Sequence, residues 1–213
     1  MKKAVAPLVL VVALLAVQAG ATVVTSIPGG TVIPMTPMNY FGGGPISFAP
    51  GVTWSSTNTT NQGGSVFGWT GGYGYLSNGA WDGALGPMAG LNDSSAFFGV
   101  TDTMTFAFAT PVGAVGGFLN YVPDFGPATI AVWDPSGNFI ESFDLTFLTG
   151  GGTNTGAFYG FQETTPIGYF TLSDAYVGVV NLTTAPIPEP NSLLLIGTGL
   201  LGAFGVVRRR LGK

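Results

Sequence analysis

The sequence predicts an all-β protein: an antiparallel β-sandwich of jelly-roll type, flanked by an N-terminal signal helix and a single C-terminal transmembrane helix. Gly and Pro are frequent, at 35 and 15 of 213 residues. Val, Thr and aromatic residues dominate the remainder, a combination typical of short strands joined by tight turns. Stretches that alternate apolar and polar residues recur at regular spacing, which favours two stacked antiparallel sheets.

The first 21 residues have the three parts of a secretory signal peptide. The basic pair Lys2 and Lys3 precedes an apolar run, and small residues follow it. Cleavage is predicted after Ala21, with Ala19 as the alternative. Residues 22–45 are rich in Thr, Pro and Gly without a helical period, so they predict an extended lead-in segment with room for one edge strand.

The β-sandwich domain is predicted over residues 46–184, and its clearest element is a hairpin at 128–147. A β-branched run ends at Trp133, and Asp134 to Asn138 supply turn chemistry. From Phe139 onward apolar and polar residues alternate, as expected for a strand with one buried face. Further strands are predicted at 103–108, 112–121, 167–172 and 176–182.

The charges of the chain are strongly segregated. There is no basic residue between Lys3 and Arg208, whereas all ten acidic residues lie within that stretch. Binding to nucleic acid or to anionic lipid depends on Lys and Arg, so both are excluded for the body of the protein. Salt bridges within the domain are also impossible, which leaves burial of apolar surface and hydrogen bonds to hold the fold.

The residue inventory leaves little catalytic chemistry. Without His, Cys, Lys or Arg, the body lacks the parts of nucleophilic triads, zinc sites and Schiff bases. Paired carboxylates could serve a glycoside hydrolase. However, the candidates lie beside turns or on the polar phase of strands, so we predict no enzyme and no catalytic residue. These candidates are Asp124, Asp134, Glu141, Asp144 and Glu163.

No cofactor and no metal site are predicted, with calcium as the one ion that the inventory suits. Asn92 and Asp93 with Asp102, or Asp134 with Asn138, could supply oxygen ligands. Turn capping by Asp and Asn is the simpler interpretation and is favoured.

An aromatic, glycine-rich segment at residues 54–81 offers a second kind of site. Its rings could stack on sugars if they lie side by side and exposed. The favoured alternative is that the rings pack this segment onto the sandwich. The candidate stacking residues are Trp54, Trp69, Tyr73, Tyr75 and Trp81.

The C-terminus has three successive parts. Residues 185–190 form a Pro-rich stalk, residues 191–207 an apolar helix, and residues 208–213 a basic cytoplasmic tail. The helix would be roughly 25 Å long, slightly short of a ~30 Å hydrocarbon core, but it could span with its flanking arginines snorkelling. The basic cluster predicts that the body lies outside the membrane. That cluster is Arg208, Arg209 and Arg210.

The order Pro188-Glu189-Pro190, glycine-containing apolar helix and terminal arginines resembles the PEP-CTERM sorting signal of Gram-negative bacteria. The resemblance implies recognition by an exosortase, a membrane cysteine transpeptidase proposed to cut near Pro-Glu-Pro. Such tails are also classified as an ice-binding protein C-terminal domain, a label that carries no indication of ice binding. The alternative is a plain tail anchor with a Pro-rich stalk.

The leading hypothesis is therefore an exported structural or adhesive protein, anchored at the cytoplasmic membrane and then delivered to the cell surface or extracellular matrix. Its expected partners are the general secretion machinery, an exosortase, the membrane and exopolysaccharide, with no nucleic acid. The main alternative is a carbohydrate-binding module of the matrix that uses segment 54–81. A glycan-active enzyme and an ice-binding surface rank below these two.

Overall fold

The computed structural model describes residues 22–36, 38–58, 65–67, 72–92, 102–174 and 176–187. Predictions at Ala19, Ala21, Asp93, Pro188–Pro190 and Arg208–Arg210 lie outside this part of the chain. Short 3-10 turns occur at Leu76–Asn78, Gly83–Leu85 and Pro123–Phe125. The strands are β1 Thr22–Val24, β2 Thr31–Val32, β3 Tyr40–Phe41, β4 Ile46–Ala49, β5 Val52–Ser56, β6 Ser65–Phe67, β7 Tyr73–Gly74, β8 Ala80–Trp81, β9 Ala89–Asn92, β10 Asp102–Tyr121, β11 Ala128–Trp133, β12 Phe139–Leu145, β13 Ala157–Asp174 and β14 Tyr176–Ala185.

The two longest strands, β10 and β13, pair antiparallel along almost their whole length, from Asp102 opposite Asp174 to Leu119 opposite Ala157. Two bulges interrupt this ladder in succession. First, residues 108–111 of β10 face a single residue of β13, and then residues 163–166 of β13 face a single residue of β10. Each bulge ends in proline, Pro111 or Pro166, which cannot donate to a ladder and is tolerated where pairing is already broken.

The bulges divide the ladder between two sheets. In the first sheet, the N-terminal half of β10 and the C-terminal half of β13 lie between β5 and β11, giving the order β4-β5-β10-β13-β11-β12. In the second sheet, the other halves give the order β1-β13-β10-β14-β9-β6-β3. Strand β2 pairs with the C-terminal end of β14. Strands that change sheets at bulges are a known way to form the corner of a sandwich.

The two sheets enclose one hydrophobic core. Phe161 and Phe170 lie nine residues apart on β13, a separation of roughly 30 Å if the strand were straight. Their ring centroids are nevertheless 6.5 Å apart, so β13 folds back across the core. Phe106 of the first sheet packs on Phe170 at 6.3 Å, and all three rings are fully buried.

The all-β, antiparallel prediction is confirmed, and so is the hairpin of β11 and β12, whose register runs from Ala128 opposite Leu145 to Trp133 opposite Phe139. The strands predicted at 103–108 and 112–121 are one strand, β10, because the bulge at Pro111 bends it without ending it. The jelly-roll connectivity is not confirmed, since two long strands belong to both sheets. Residues 22–45 contain three short strands rather than one.

Among the described residues, no helix has the length and apolar character needed to cross a membrane. The predicted transmembrane segment, residues 191–207, lies outside them and stays a prediction.

Replacing Phe170 by Ala should destabilise the domain by about 3–5 kcal/mol, because it leaves a cavity where both sheets meet. The matched variant Phe41→Ala removes the same ring from a site that is 44% exposed and should cost less than about 1 kcal/mol. Urea denaturation followed by circular dichroism measures both values. Equal losses for the two variants would contradict the shared core.

Candidate functional site

Residues 72–88, which include the C-terminal end of the aromatic, glycine-rich segment, form a third layer on the outer face of the second sheet. Its residues Tyr73, Tyr75 and Trp81 are at most 3% exposed and form a cluster with Met88 and with Val180 of β14. The second half of β10 is accordingly buried on both faces, whereas its first half alternates between buried and partly exposed residues. The segment is therefore a cover for the second sheet.

The rings of this cover contact one another in a continuous series. Tyr73 and Tyr75 lie 5.0 Å apart between centroids, as do Tyr75 and Trp81, and Trp81 stacks on Phe118 of β10 at 5.8 Å. Hydrogen bonds fix two of these rings, Tyr73 and Trp81. The Tyr73 hydroxyl donates to the Leu91 carbonyl, and the Trp81 indole nitrogen donates to a carbonyl in the loop before β13. Burial raises the pKa of both tyrosine hydroxyls, so these two rings stay uncharged.

The sheet beneath the cover is shaped to receive it by glycine in strand interiors. A Cβ atom at Gly178 of β14 would lie 2.2 Å from the Tyr75 hydroxyl and 3.0 Å from the Trp81 ring. At Gly90 of β9 it would lie 2.9 Å from the Met88 methyl group. The rings thus occupy the space that side chains would otherwise fill, which is one of the reasons for glycine inside a strand.

A buried asparagine ties the cover to the loop after β12. Asn78 is fully buried, and its Nδ2 donates to the carbonyls of Tyr121 and Phe147 at 3.2 and 3.3 Å. Its Oδ1 accepts from the Thr149 amide at 3.1 Å, while its own carbonyl accepts from the side chains of Asn120, Thr149 and Thr155. Because every polar atom of the Asn78 side chain is satisfied, its burial stabilises this arrangement.

These positions exclude a glycan-stacking surface at the described rings of segment 54–81. Tyr73, Tyr75 and Trp81 lie inside the cover, and Trp54 lies in the main core, edge-on to Tyr40 at 6.1 Å. A ring must be exposed to stack on a sugar, so the alternative of packing onto the sandwich was the better interpretation. Trp69 lies outside the described residues. The signal that could have revealed this is glycine at the centre of the apolar strands β9 and β14.

Substituting Gly178 by Ala should destabilise the domain by about 2–4 kcal/mol, because the new methyl group overlaps the Tyr75 hydroxyl. Gly74→Ala is the matched control, since nothing lies within 4 Å of a Cβ atom there. Thermal unfolding and near-ultraviolet circular dichroism of the buried rings should change only for Gly178→Ala. A similar effect of both variants would contradict the tight contact between cover and sheet.

Of the five candidate acids, three stabilise local structure. Asp134 accepts hydrogen bonds from the Asn138 side chain and from two amides of its turn, and the first of these is the main reason that its pKa is lowered. Asp144 accepts from Thr129 across the β11–β12 hairpin at 2.7 Å. Asp124 accepts from Ser77 of the cover at 3.0 Å.

The other two candidates, Glu141 of β12 and Glu163 of the β13 bulge, meet each other. Glu163 is 4% exposed. Burial, followed by the charge and the hydrogen bond of Glu141, raises its pKa from 4.5 to about 7. One oxygen of each carboxyl is buried without a hydrogen-bond partner. Carboxyls in direct contact leave no room for a sugar and a water between them, unlike those of glycosidases at about 5 Å or more.

The structure also places the residues considered for calcium. Asp102 and Asp174 are opposite each other in the β10–β13 ladder. Asn92 is opposite Tyr176, which follows Asp174 by two residues. The Asp102 carboxylate accepts from the Thr57 hydroxyl at 2.8 Å. Within the described ranges, no group of three or more His, Cys, Asp or Glu side chains is close enough to hold a metal ion. That the protein needs no metal, with calcium as the one ion that its residues suit, stays a prediction.

The Glu141–Glu163 pair should make the domain less stable as the pH rises. Because the folded-state pKa of Glu163 lies above its unfolded value, its contribution is fully present below about pH 4.5 and is lost by about pH 7. Glu163→Gln should reduce the change of the urea midpoint between pH 4.5 and 7, whereas Thr164→Ser, an exposed and uncharged position in the same bulge, should leave that change as in the parent. A midpoint that rises over this range in the parent protein would contradict the assignment.

The last strand leads directly into the predicted sorting signal. Strand β14 lies between β10 and β9 in the second sheet and ends at Ala185. Pro186 and Ile187 follow, and Ile187 is 39% exposed. The chain therefore leaves the domain from a central strand, and the segment 188–213 begins at once.

An antiparallel all-β domain that leads directly into a C-terminal sorting segment is the class that these features define. A family model of the PEP-CTERM protein-sorting motif matches residues 186–210. The chain is thus a protein with a PEP-CTERM sorting signal, as the resemblance implied. The motif implies export, exosortase as processing partner, and membrane-associated sorting toward the cell surface. No curated protein and no solved structure matches this chain.

Proposed function

We propose that this protein is a non-enzymatic structural or adhesive component of the cell surface or extracellular matrix. The observation that carries the proposal is the direct junction between β14 and the matched motif at residue 186. A processing step in the motif would release, or transfer to a new attachment, a complete domain without cutting any described strand.

The chemistry of the body agrees with a role that needs no catalysis. Its candidate acids either form local hydrogen bonds or contact each other, and the chain has no His or Cys and no basic residue between Lys3 and Arg208. The tyrosine rings of the cover are buried and uncharged. A rigid, anionic domain without cations of its own is suited to persist outside the cell rather than to turn over a substrate.

The two ends give the delivery route. The signal peptide would direct the chain through the general secretion machinery, and the apolar segment 191–207 would hold it in the membrane, with the arginines inside. Exosortase would then act near Pro188-Glu189-Pro190, where proline favours extended backbone that a processing enzyme can reach.

Mass spectrometry of the protein released from the cell surface tests this route. We expect a C-terminus between residues 186 and 190, and an N-terminus after Ala19 or Ala21. Glu189→Ala should leave the chain in the membrane fraction with Lys213 intact, whereas Asp124→Ala, an acidic residue on the exposed surface of the body, should be released as the parent is. Released protein that still ends in Lys213 would refute exosortase processing.

A further inference from the structure

The outer face of the first sheet, unlike that of the second, carries a regular array of side chains that reach the surface. We call it the open face. Its outward residues come from β5, β10, β13, β11 and β12, and most are partly or fully exposed. The ladder registers arrange them in three rows across the sheet. The rows are Thr57, Thr103, Ser173, Thr129 and Asp144; Ser55, Thr105, Thr171, Ala131 and Ser142; and Thr53, Ala107, Tyr169, Trp133 and Phe139.

Hydroxyl groups dominate the first two rows, and several have fixed orientations. Thr103 and Ser173 share a hydrogen bond of 2.7 Å across β10 and β13. Thr129 donates to Asp144 at 2.7 Å. Each hydroxyl keeps further acceptor capacity after one such bond, so these rows present oriented acceptors to a ligand.

Three adjacent aromatic residues, Tyr169, Trp133 and Phe139, form one end of the third row. Trp133 is opposite both Tyr169 and Phe139 in the ladders, and its ring lies edge-to-face with Phe139 at 5.3 Å. Its indole nitrogen donates to the Thr171 hydroxyl at 3.3 Å, which holds the ring over the second row. A shallow groove of about 260 Å³ lies here, lined by Trp133, Tyr169, Thr105, Thr171 and Gly137.

This combination matches the two surfaces of a sugar. The C–H face of a pyranose stacks on an aromatic ring, and its hydroxyls exchange hydrogen bonds with side-chain hydroxyls. The Trp133 ring is already held by a hydrogen bond to Thr171 and by its contact with Phe139, so binding would not need to immobilise it. Phe139 remains 56% exposed at the end of the row, available for such contact.

The charge of the open face distinguishes neutral from anionic glycans. No basic residue occurs between Lys3 and Arg208, so the open face has no cation to pair with a uronate or sulfate group. Asp144 places a carboxylate at the end of the first row and would repel such groups. The favoured ligand is therefore an uncharged polysaccharide.

We propose that the open face binds a neutral polysaccharide, with Trp133 and Tyr169 stacking on sugar rings and the hydroxyl rows hydrogen-bonding to them. This inference rests on the proposed function, because it names what the adhesive domain would hold outside the cell. It moves carbohydrate binding from segment 54–81, whose described candidate rings are buried, to the outer face of the first sheet.

Threonine rows could also order water as ice does, but the geometry favours the sugar. Adjacent strands are rotated by roughly 20–25° in ordinary sheets, so rows across five strands do not form a flat plane. A polysaccharide follows such a twist, whereas an ice lattice does not. The Trp133 ring also lines the groove beside Thr105 and Thr171, so the face is not made of hydroxyl groups alone.

Affinity electrophoresis of the full-length chain, in mild neutral detergent, tests the proposal with laminarin, dextran, galactomannan and hydroxyethyl cellulose, and with alginate as an anionic comparison. At least one neutral polymer should retard the protein, and alginate should not. Trp133→Ala and Tyr169→Ala should each weaken binding about tenfold or more. Phe41→Ala, an exposed ring away from the open face, should bind within about twofold of the parent.

Urea midpoints identify variants that fail to fold. If a ring variant fails to fold, Thr171→Val is compared with the parent instead, because it removes the hydroxyl that accepts from Trp133. Retardation by no neutral polymer, equal binding of Trp133→Ala and the parent, or adsorption to ice that Thr105→Val abolishes would each overturn the proposal. If the released protein is correctly processed near residue 188 but binds no glycan, only this inference fails and the sorting proposal stands.

Discussion

The hydrogen-bond ladder between β10 and β13 determines where almost every other element lies. Its two successive bulges fold both strands across the core, so each strand contributes one half to each sheet. The N-terminal half of β10 and the C-terminal half of β13 recruit β5 and β11, while the other halves recruit β14 and β1. The open face, the aromatic cover and the exit of the chain are all arranged around this pair.

The lack of cations in the body shapes how polar groups are buried. Where other proteins would use an ion pair, Asn78 uses amide hydrogen bonds, which need no compensating charge. Among the described residues, Glu141 and Glu163 have no basic partner. Protonation of Glu163 therefore relieves their repulsion, and its pKa is raised. Stability is thereby coupled to pH through this pair of carboxyls.

Local pattern predicted most of the strands and the sorting signal, because both depend on residues close together in sequence. The β11–β12 hairpin follows from turn residues between alternating stretches. The continuity of β10 through Pro111 could not be predicted, since it depends on a matching bulge some fifty residues later in β13. The sequence left open which aromatic rings are exposed, although it favoured burial of those at residues 54–81, for a similar reason. Trp81 is buried because Gly178, in a distant strand, leaves room for its ring. Trp133 stays partly exposed because it lies on the outward side of the β11–β12 hairpin.

The place where the chain leaves the domain also governs how the domain would respond to a pull. Strand β14 is bonded to β10 along one side and to β9 and β2 along the other. A force applied through Pro186 acts along the strand axis, so β14 can be extracted only by sliding past both neighbours at once. A protein attached at this end and holding a polymer on its first sheet would transmit tension through its most extensively paired strands. Its lifetime under flow would then depend on the rate of forced unfolding rather than on equilibrium stability.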